Sequence, residues 1–338
     1  MAKAKRIKGI KCNDVASAGI SLVLGTRFGE LCSFRDAALD WNDAEGVHSM
    51  RVASRRLRSA LRDFTPYIRK QRLASVLKQL RNVADALGEV RDQDVAIMAL
   101  EKLESRIPSE HSSTLKEFVD RRKEIRDQAR QELFSILEES QVKELETAFT
   151  ARVIEATVIR ASKTQGTQLR GQVSYLLMSR SIILDRLKEL EKLSQDLFNP
   201  FDIDNLHEMR IAAKRLRYAI ELFQQCWGHS IATYAKRVAQ MQTALGDVHD
   251  CDVWIESFGA QVNTARKQKQ PEQIAAFVWL LSHFVKLRTK HLRTAYDLWR
   301  DWETHEMSAK LRAALQPEAP PAAEPKQKSI PRAEQKIA

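Results

Sequence analysis

The chain has 338 residues, 43% of them hydrophobic and 29% charged, a balance that supports one or two folded cores over a disordered polymer. Lys and Arg number 55 against 44 Asp and Glu, a formal net charge of +11. That excess points to anionic partners such as nucleic acid, a membrane surface or polymeric phosphate. No run of about 18 uninterrupted apolar residues occurs, so no transmembrane helix is expected and no membrane partner is assigned. The four cysteines, Cys12, Cys32, Cys226 and Cys251, include no C-x-x-C pair. They are expected to form neither a metal clip nor a disulfide framework, which suits a reducing, cytoplasmic compartment.

The N-terminal segment, 1–14, is basic. A mildly apolar stretch follows at 15–25, but its Ala, Ser and Gly content and the interruption by Asp14 argue against a cleaved signal. Helical spacing of apolar residues predicts helices over 15–40, 43–64, 67–87, 92–106 and 111–148. A second series is predicted over 168–198, 203–226, 230–245, 250–267 and 271–304. Asn42 followed by Glu45 predicts a capping box at the start of the second helix, and Gly88 and Gly246 are expected just past helix ends. Pro66, Pro108, Pro200 and Pro271 fall between these segments, where a missing N–H costs nothing. The other five prolines lie between 317 and 331 among Ala, Glu, Lys and Gln, so residues 316–338 are expected to be a disordered tail. No strand alternation stands out, and the fold class is all-α.

An internal repeat carries most of the information. His48-Ser-Met-Arg-Val-Ala-Ser-Arg-Arg-Leu-Arg-Ser-Ala-Leu-Arg-Asp-Phe64 returns as His207-Glu-Met-Arg-Ile-Ala-Ala-Lys-Arg-Leu-Arg-Tyr-Ala-Ile-Glu-Leu-Phe223, with nine of 17 positions identical. Leu87-Gly-Glu-Val-Arg-Asp-Gln-Asp-Val95 pairs with Leu245-Gly-Asp-Val-His-Asp-Cys-Asp-Val253, at nearly the same distance after His48 and His207 respectively. Two blocks at matching separation imply two related helical units, residues 15–160 and 161–315.

On a helix of about 100° per residue, Met50, Ala53, Leu57, Ala60, Leu61 and Phe64 form one apolar stripe, the expected packing face. His48, Arg51, Arg55, Arg58 and Arg62 form another, well separated from it. In the second copy His207, Arg210, Lys214 and Arg217 take the same stripe, which Glu221 ends, while Arg56 and Arg215 lie on a flank. An ordinary solvated face mixes charge signs one turn apart, because like charges at that spacing repel. A row of cations in both copies instead asks for an anion to bridge it, and Arg suits oxyanions through its planar fork of donors.

These residues resemble the CHAD family, the conserved histidine α-helical domain, over roughly residues 15–310. The matching patterns are H-x-x-R-V-x-x-R-R-L-R at His48 to Arg58, H-x-x-R-I-x-x-K-R-L-R-Y at His207 to Tyr218, and L-G-x-x-x-D-x-D-V at Leu87 and Leu245. The resemblance implies two four-helix-bundle-like units related by pseudo-twofold symmetry around a central basic cleft. It also implies binding of inorganic polyphosphate and association with polyphosphate granules. By position it nominates His48, Arg51, Arg55, Arg56, Arg58, His207, Arg210, Lys214, Arg215 and Arg217 as ligand contacts, with Arg62 from the stripe. Lys78 and Lys236, at equivalent distances before the two Leu-Gly pairs, join them. Some members of the family are fused to a β-barrel triphosphate tunnel with an E-x-E-x-K signature. Neither strands nor that signature occur here, and Glu189-Leu-Glu-Lys192 is one residue too short.

Rival chemistries fit these residues less well. A zinc site needs three or four converging soft or imidazole ligands, whereas His48 and His207 stand among arginines, and His229 and His249 lack a Cys or His partner at i+3 or i+4. Neither a metal nor any other cofactor is expected. Asp92, Asp94, Asp250 and Asp252 could bind a cation carried by a polyanion, but the favoured expectation is that they cap helices starting there and neutralise arginines. Nucleic acid is the serious competitor, since a basic channel would also hold its backbone. Base recognition usually adds aromatic stacking, and neither stripe contains an aromatic residue; Tyr218 is adjacent to one. No nucleophile-and-base pair or glycine-rich phosphate loop stands out, so a binding module is expected, not an enzyme.

Overall fold

A computed structural model describes residues 4–43, 45–157 and 173–316. The expected unit boundary near 160 and the tail beyond 316 lie outside these residues. The described chain is all-α, its one isolated β-bridge joining Val15 to Ser174. No described helix is long and apolar enough to cross a membrane.

The first half contributes α1 (Ala16–Cys32), α2 (Arg35–Leu39), α3 (Gly46–Phe64), α4 (Ala74–Glu101), α5 (Ser112–Ile136) and α6 (Glu139–Thr157). The second contributes α7 (Tyr175–Leu193), α8 (Ile203–Trp227), α9 (Ala232–Lys267), α10 (Pro271–Thr304) and α11 (Met307–Ala314). The repeated basic blocks lie on α3 and α8, and the repeated Leu-Gly blocks on α4 and α9.

The predicted apolar stripe is the packing face. Met50, Ala53, Leu57, Ala60, Leu61 and Phe64 are all buried, as are Met209, Ala212, Leu216, Ala219, Ile220 and Phe223 on α8. Burying each large side chain contributes about 1.5–3 kcal/mol, and together they form the floor where the two halves meet. There Phe64 meets Phe223 edge-on at 6.1 Å, and Tyr175 meets Phe223 at 5.5 Å. Gly19 of α1 lets the Tyr175 ring approach so closely that a Cβ there would collide with it.

A second core lies further along the long helices. Ile97, Leu100, Leu115 and Phe118 of the α4–α5 hairpin pack with Trp254, Phe258, Phe277, Leu280 and Phe284 of the α9–α10 hairpin. Phe118 stands 5.6 Å from Phe258 and 5.8 Å from Phe277. α4 belongs to the first core up to Val90 and to the second from Ala96. The halves therefore touch at a floor and again through their hairpins.

Four local expectations are corrected. Gly88 and Gly246 end no helix: α4 and α9 run straight through them. A mid-helix glycine costs about 1 kcal/mol relative to Ala, but buried Leu87, Val90, Leu245 and Val248 on either side hold the helices in place. Asp92, Asp94, Asp250 and Asp252 consequently sit in helix interiors and cap nothing. The opening of α3 is served by Asp43, whose Oδ1 accepts the N–H groups of Glu45 and Gly46 at 2.9 and 3.1 Å, not by Asn42. The segment expected as one helix over 111–148 breaks after Ile136, where buried Leu137 presents its carbonyl to Arg35 Nε at 2.7 Å.

The cysteine expectation is also corrected. Cys12 and Cys226 form a disulfide across 214 residues of sequence, with Cα atoms 5.6 Å apart, while Cys32 and Cys251 are free. The pair was invisible in sequence because its partners are brought together only when the basic N-terminal segment lies against the end of α8. That segment is also held by backbone bonds from Tyr175 N to Asp14 O (2.8 Å) and from Leu176 N to Cys12 O (2.7 Å).

Candidate anion-binding cleft

A cleft of about 460 Å³ opens between α3, α4 and α8. Its cationic side is Arg51, Arg55, Arg58 and Arg62 from α3 with Lys214 and Arg215 from α8. Facing them, α4 offers Asp85, Glu89 and Asp92, and Gly88 leaves the space in front of it open. Cations from opposite halves of the sequence thus share one hollow, because the apolar stripes of α3 and α8 pack together and leave the basic stripes on the same side.

The predicted residues divide into groups. Arg51, Arg55, Arg58, Arg62, Lys214 and Arg215 line the cleft. Arg210 belongs to the same charge cluster: its neighbours include Asp250, Arg51 and Asp92, and it in turn acts on Arg55 and Lys214. His48 and His207 lie half-buried, each near cleft cations, His48 near Arg91 and Arg55, His207 near Arg210 and Lys214. Lys78 and Lys236 are exposed on α4 and α9; Lys78 precedes Asp85 by two helical turns, on the face that lines the cleft.

Arg56 turns away from the cleft to Glu30 (3.2 Å), which also binds Arg27 (2.6 Å). Arg215 and Arg217 exchange the places expected of them. Arg215, placed on a flank by helical periodicity, lines the cleft and pairs with Glu189. Arg217, expected on the stripe, is buried over the Tyr218 ring at 4.8 Å and pairs with Glu221 at 3.6 Å. Periodicity fixes angles around one helix axis, but the partner packed against α8 decides which flank faces the hollow.

The electrostatics reflect crowding. Burial, and then the cations Arg55, Arg210, Arg62 and Arg215, push the Lys214 ammonium down to about 7 from its usual 10.5. Burial followed by Arg51 lowers Arg55, and burial followed by Arg215 lowers Arg62, although guanidinium groups stay charged at any ordinary pH. His48 and His207 are both held below the ordinary imidazole value, chiefly by burial. His249 on α9, which sequence reading left without a partner, sits with its Nδ1 3.0 Å from Nδ1 of His207. Burial, then Arg210, His207 and Lys214, push it to about 4, so this imidazole pair is neutral near pH 7.

Carboxylates already engage part of the row. Arg51 donates to Asp92 at 2.8 Å, and Asp250 lies beside Arg210 with its own carboxyl raised, chiefly by burial. Asp252 binds Arg288 of α10 instead. Behind the cleft, Arg186 of α7 bridges the halves, donating to buried Asp63 of α3 at 2.8 Å and to Glu189 at 3.0 Å, while Glu189 holds Arg215. Among the described residues no group of three His, Cys, Asp or Glu side chains is placed to hold a metal ion. Tyr218 lines the cleft, which the sequence did not indicate, but it is 8% exposed with Arg217 over its ring, so it offers no open face to a base.

Fold and cleft together define an all-helical protein whose two repeated halves bring cations to a common hollow. Residues 23–259 match the family model of the CHAD domain, and the chain belongs to that family. Its fold is similar to the crystal structure of the CHAD domain from the plant Ricinus communis, with a TM-score of 0.65 and 24% identity over 92% of this chain and 94% of that one. It is also similar to PptA from Streptomyces chartreusis, with a TM-score of 0.62 and 14% identity over 85% of this chain and all of the other. At these identities the likeness speaks for fold. No curated protein sequence matches the chain.

Proposed function

We propose that the cleft binds inorganic polyphosphate and that the protein acts as a binding module, not a catalyst, associated with polyphosphate granules. The observation that carries this reading is the convergence of Arg51, Arg55, Arg58 and Arg62 with Lys214 and Arg215 around one hollow. A linear chain of phosphates relieves the repulsion among these groups, and each guanidinium can grip two oxygens at once. Displaced counterions add to the affinity, which should fall steeply with salt. The CHAD resemblance carries the same implication.

Nucleic acid is the second reading, because its backbone presents the same phosphates. The closed face of Tyr218 and the absence of other aromatic residues around the cleft, among the described residues, favour a ligand without bases. The test is competition: unlabelled long-chain polyphosphate against a labelled single-stranded oligonucleotide, at equal phosphate concentration and matched ionic strength. Polyphosphate should displace the oligonucleotide. If the oligonucleotide resists displacement and itself displaces polyphosphate, the nucleic-acid reading replaces this one.

A further inference from the structure

The cationic wall contributed by α8 differs from that of α3 in one respect that matters to an anion. Where α3 carries Arg55, α8 carries Lys214, and the two face each other across the crossing of their helices. Lys214 is half-buried, and among the described residues it has no carboxylate bonded to it, in contrast to Arg51, Arg215 and Arg217. Its surroundings are cationic on two elements: Arg55 and Arg62 from α3, and Arg210 and Arg215 from its own helix. His207 lies two turns back on α8, and His249 approaches from α9. The carboxylates of the cleft, Asp85, Glu89 and Asp92, are on α4, and Asp250 on α9 is engaged beside Arg210. An arginine in this position would be charged under all conditions, whereas an amine can escape the crowding by giving up its proton.

We propose that Lys214 couples occupation of the cleft to proton uptake, so that above neutral pH the amine of the free protein is largely deprotonated and an arriving phosphate chain restores its ammonium. The inference rests on the polyphosphate reading and deepens it: binding becomes selective for conditions as well as for charge. The direction follows from the charges. In the empty cleft burial and four cations hold the amine near 7. Phosphate oxygens neutralise those cations and favour the ammonium, so the bound amine titrates higher. Between the two values each complex takes up about one proton, and affinity falls up to about tenfold per pH unit. His48, His207 and His249 are held below the ordinary imidazole value in the free protein, and a Lys214→Arg variant retains all three, so the comparison with wild type isolates the amine from any proton the imidazoles take up.

The experiment measures affinity for long-chain inorganic polyphosphate, whose internal phosphates are fully ionised, at pH 6, 7.5, 8.25 and 9 and constant ionic strength. It uses the full chain and its Lys214→Arg variant. Calorimetry at pH 8.25 in two buffers of different ionisation enthalpy counts the protons taken up. The wild type should lose about tenfold or more between pH 7.5 and 9 and take up close to one proton. Lys214→Arg should bind with a nearly flat profile over that range and without proton uptake. Lys214→Met, which removes the charge altogether, should bind weakly at pH 6 and show no slope. Equal slopes in wild type and Lys214→Arg, or no proton uptake by the wild type, would overturn the coupling while leaving polyphosphate binding intact. No binding at pH 6 by the wild type would instead remove the reading on which it rests.

Discussion

The basic helices α3 and α8 are identical at more than half the positions of their repeated block, yet they build unlike walls. On α3 every cation is an arginine, and Arg62 extends the row by a turn. On α8 the equivalents of Arg55 and Arg62 are Lys214 and Glu221, and the residue matching Arg91 on α4 is His249 on α9. The arginines of the first wall are permanently charged; on the second side burial and neighbouring cations have driven Lys214 of α8 to about 7 and His249, beside it on α9, to about 4. The repeated block keeps its packing stripe, with Leu61 exchanged only for the equal-sized Ile220, since a large-to-small change there would open a cavity in the shared floor, while the cationic stripe differs between copies in how it holds charge.

That contrast can be broken from the arginine side first. Reversing Arg55 and Arg58 together (Arg55→Glu, Arg58→Glu) should lower polyphosphate affinity about a thousandfold, since each charge-assisted contact is worth about 1.5–3 kcal/mol. The loss should be present at both pH 6 and pH 8 and smaller at pH 8, because a glutamate in place of Arg55 removes a cation that depresses Lys214 and lets the amine keep its proton, and circular dichroism should be unchanged. A loss confined to low pH would mean the two walls do not differ in the way described.

The next largest effect separates scaffold from cleft. Cys226→Ser removes the Cys12–Cys226 link and, across 214 residues, should cost about 2–4 kcal/mol in denaturant unfolding under non-reducing conditions. Affinity for polyphosphate should stay within about twofold, because Cys226 lies about three helical turns beyond Arg215 on α8, about 17 Å along the helix.

A subtler effect concerns the bridge between halves. Burial raises the Asp63 carboxyl from 3.8 to about 6 despite the help of Arg186, Arg62 and Arg215. Between those values the folded protein holds a proton that the unfolded chain releases, so this group makes stability fall as pH rises through the window. Asp63→Asn should remove roughly 2 kcal/mol of that fall between pH 4 and pH 6, seen as a flatter curve of melting temperature against pH. A curve parallel to wild type would show that the buried carboxyl stays ionised throughout. The smallest change is expected at the exposed lysines: Lys78→Ala and Lys236→Ala should each alter polyphosphate affinity by no more than about threefold, through weak, screened attraction alone.

The all-α class and the floor of the molecule were legible in the order of residues, because Met50, Leu57, Leu61 and Phe64 recur at the helical period and burial follows that period. The cationic row was legible for the same reason, and its repetition announced two related units. What periodicity could not see was anything set by a second element. Arg215 faces the cleft and Arg217 packs on Tyr218 because of how α8 crosses α3. α4 continues through Gly88 because buried neighbours outweigh a local preference to stop.

What the sequence by itself determined, then, is which faces are apolar and which are cationic, since both depend only on residue type and a fixed turn of about 100° per residue. The tertiary structure alone decided that the cations of both halves meet, that Cys12 reaches Cys226, that His249 pairs with His207, and that Lys214 sheds charge so readily. These are matters of distance and desolvation between residues remote in the chain, and Coulomb interactions and burial depend on separation in space, of which the order of residues carries no direct record.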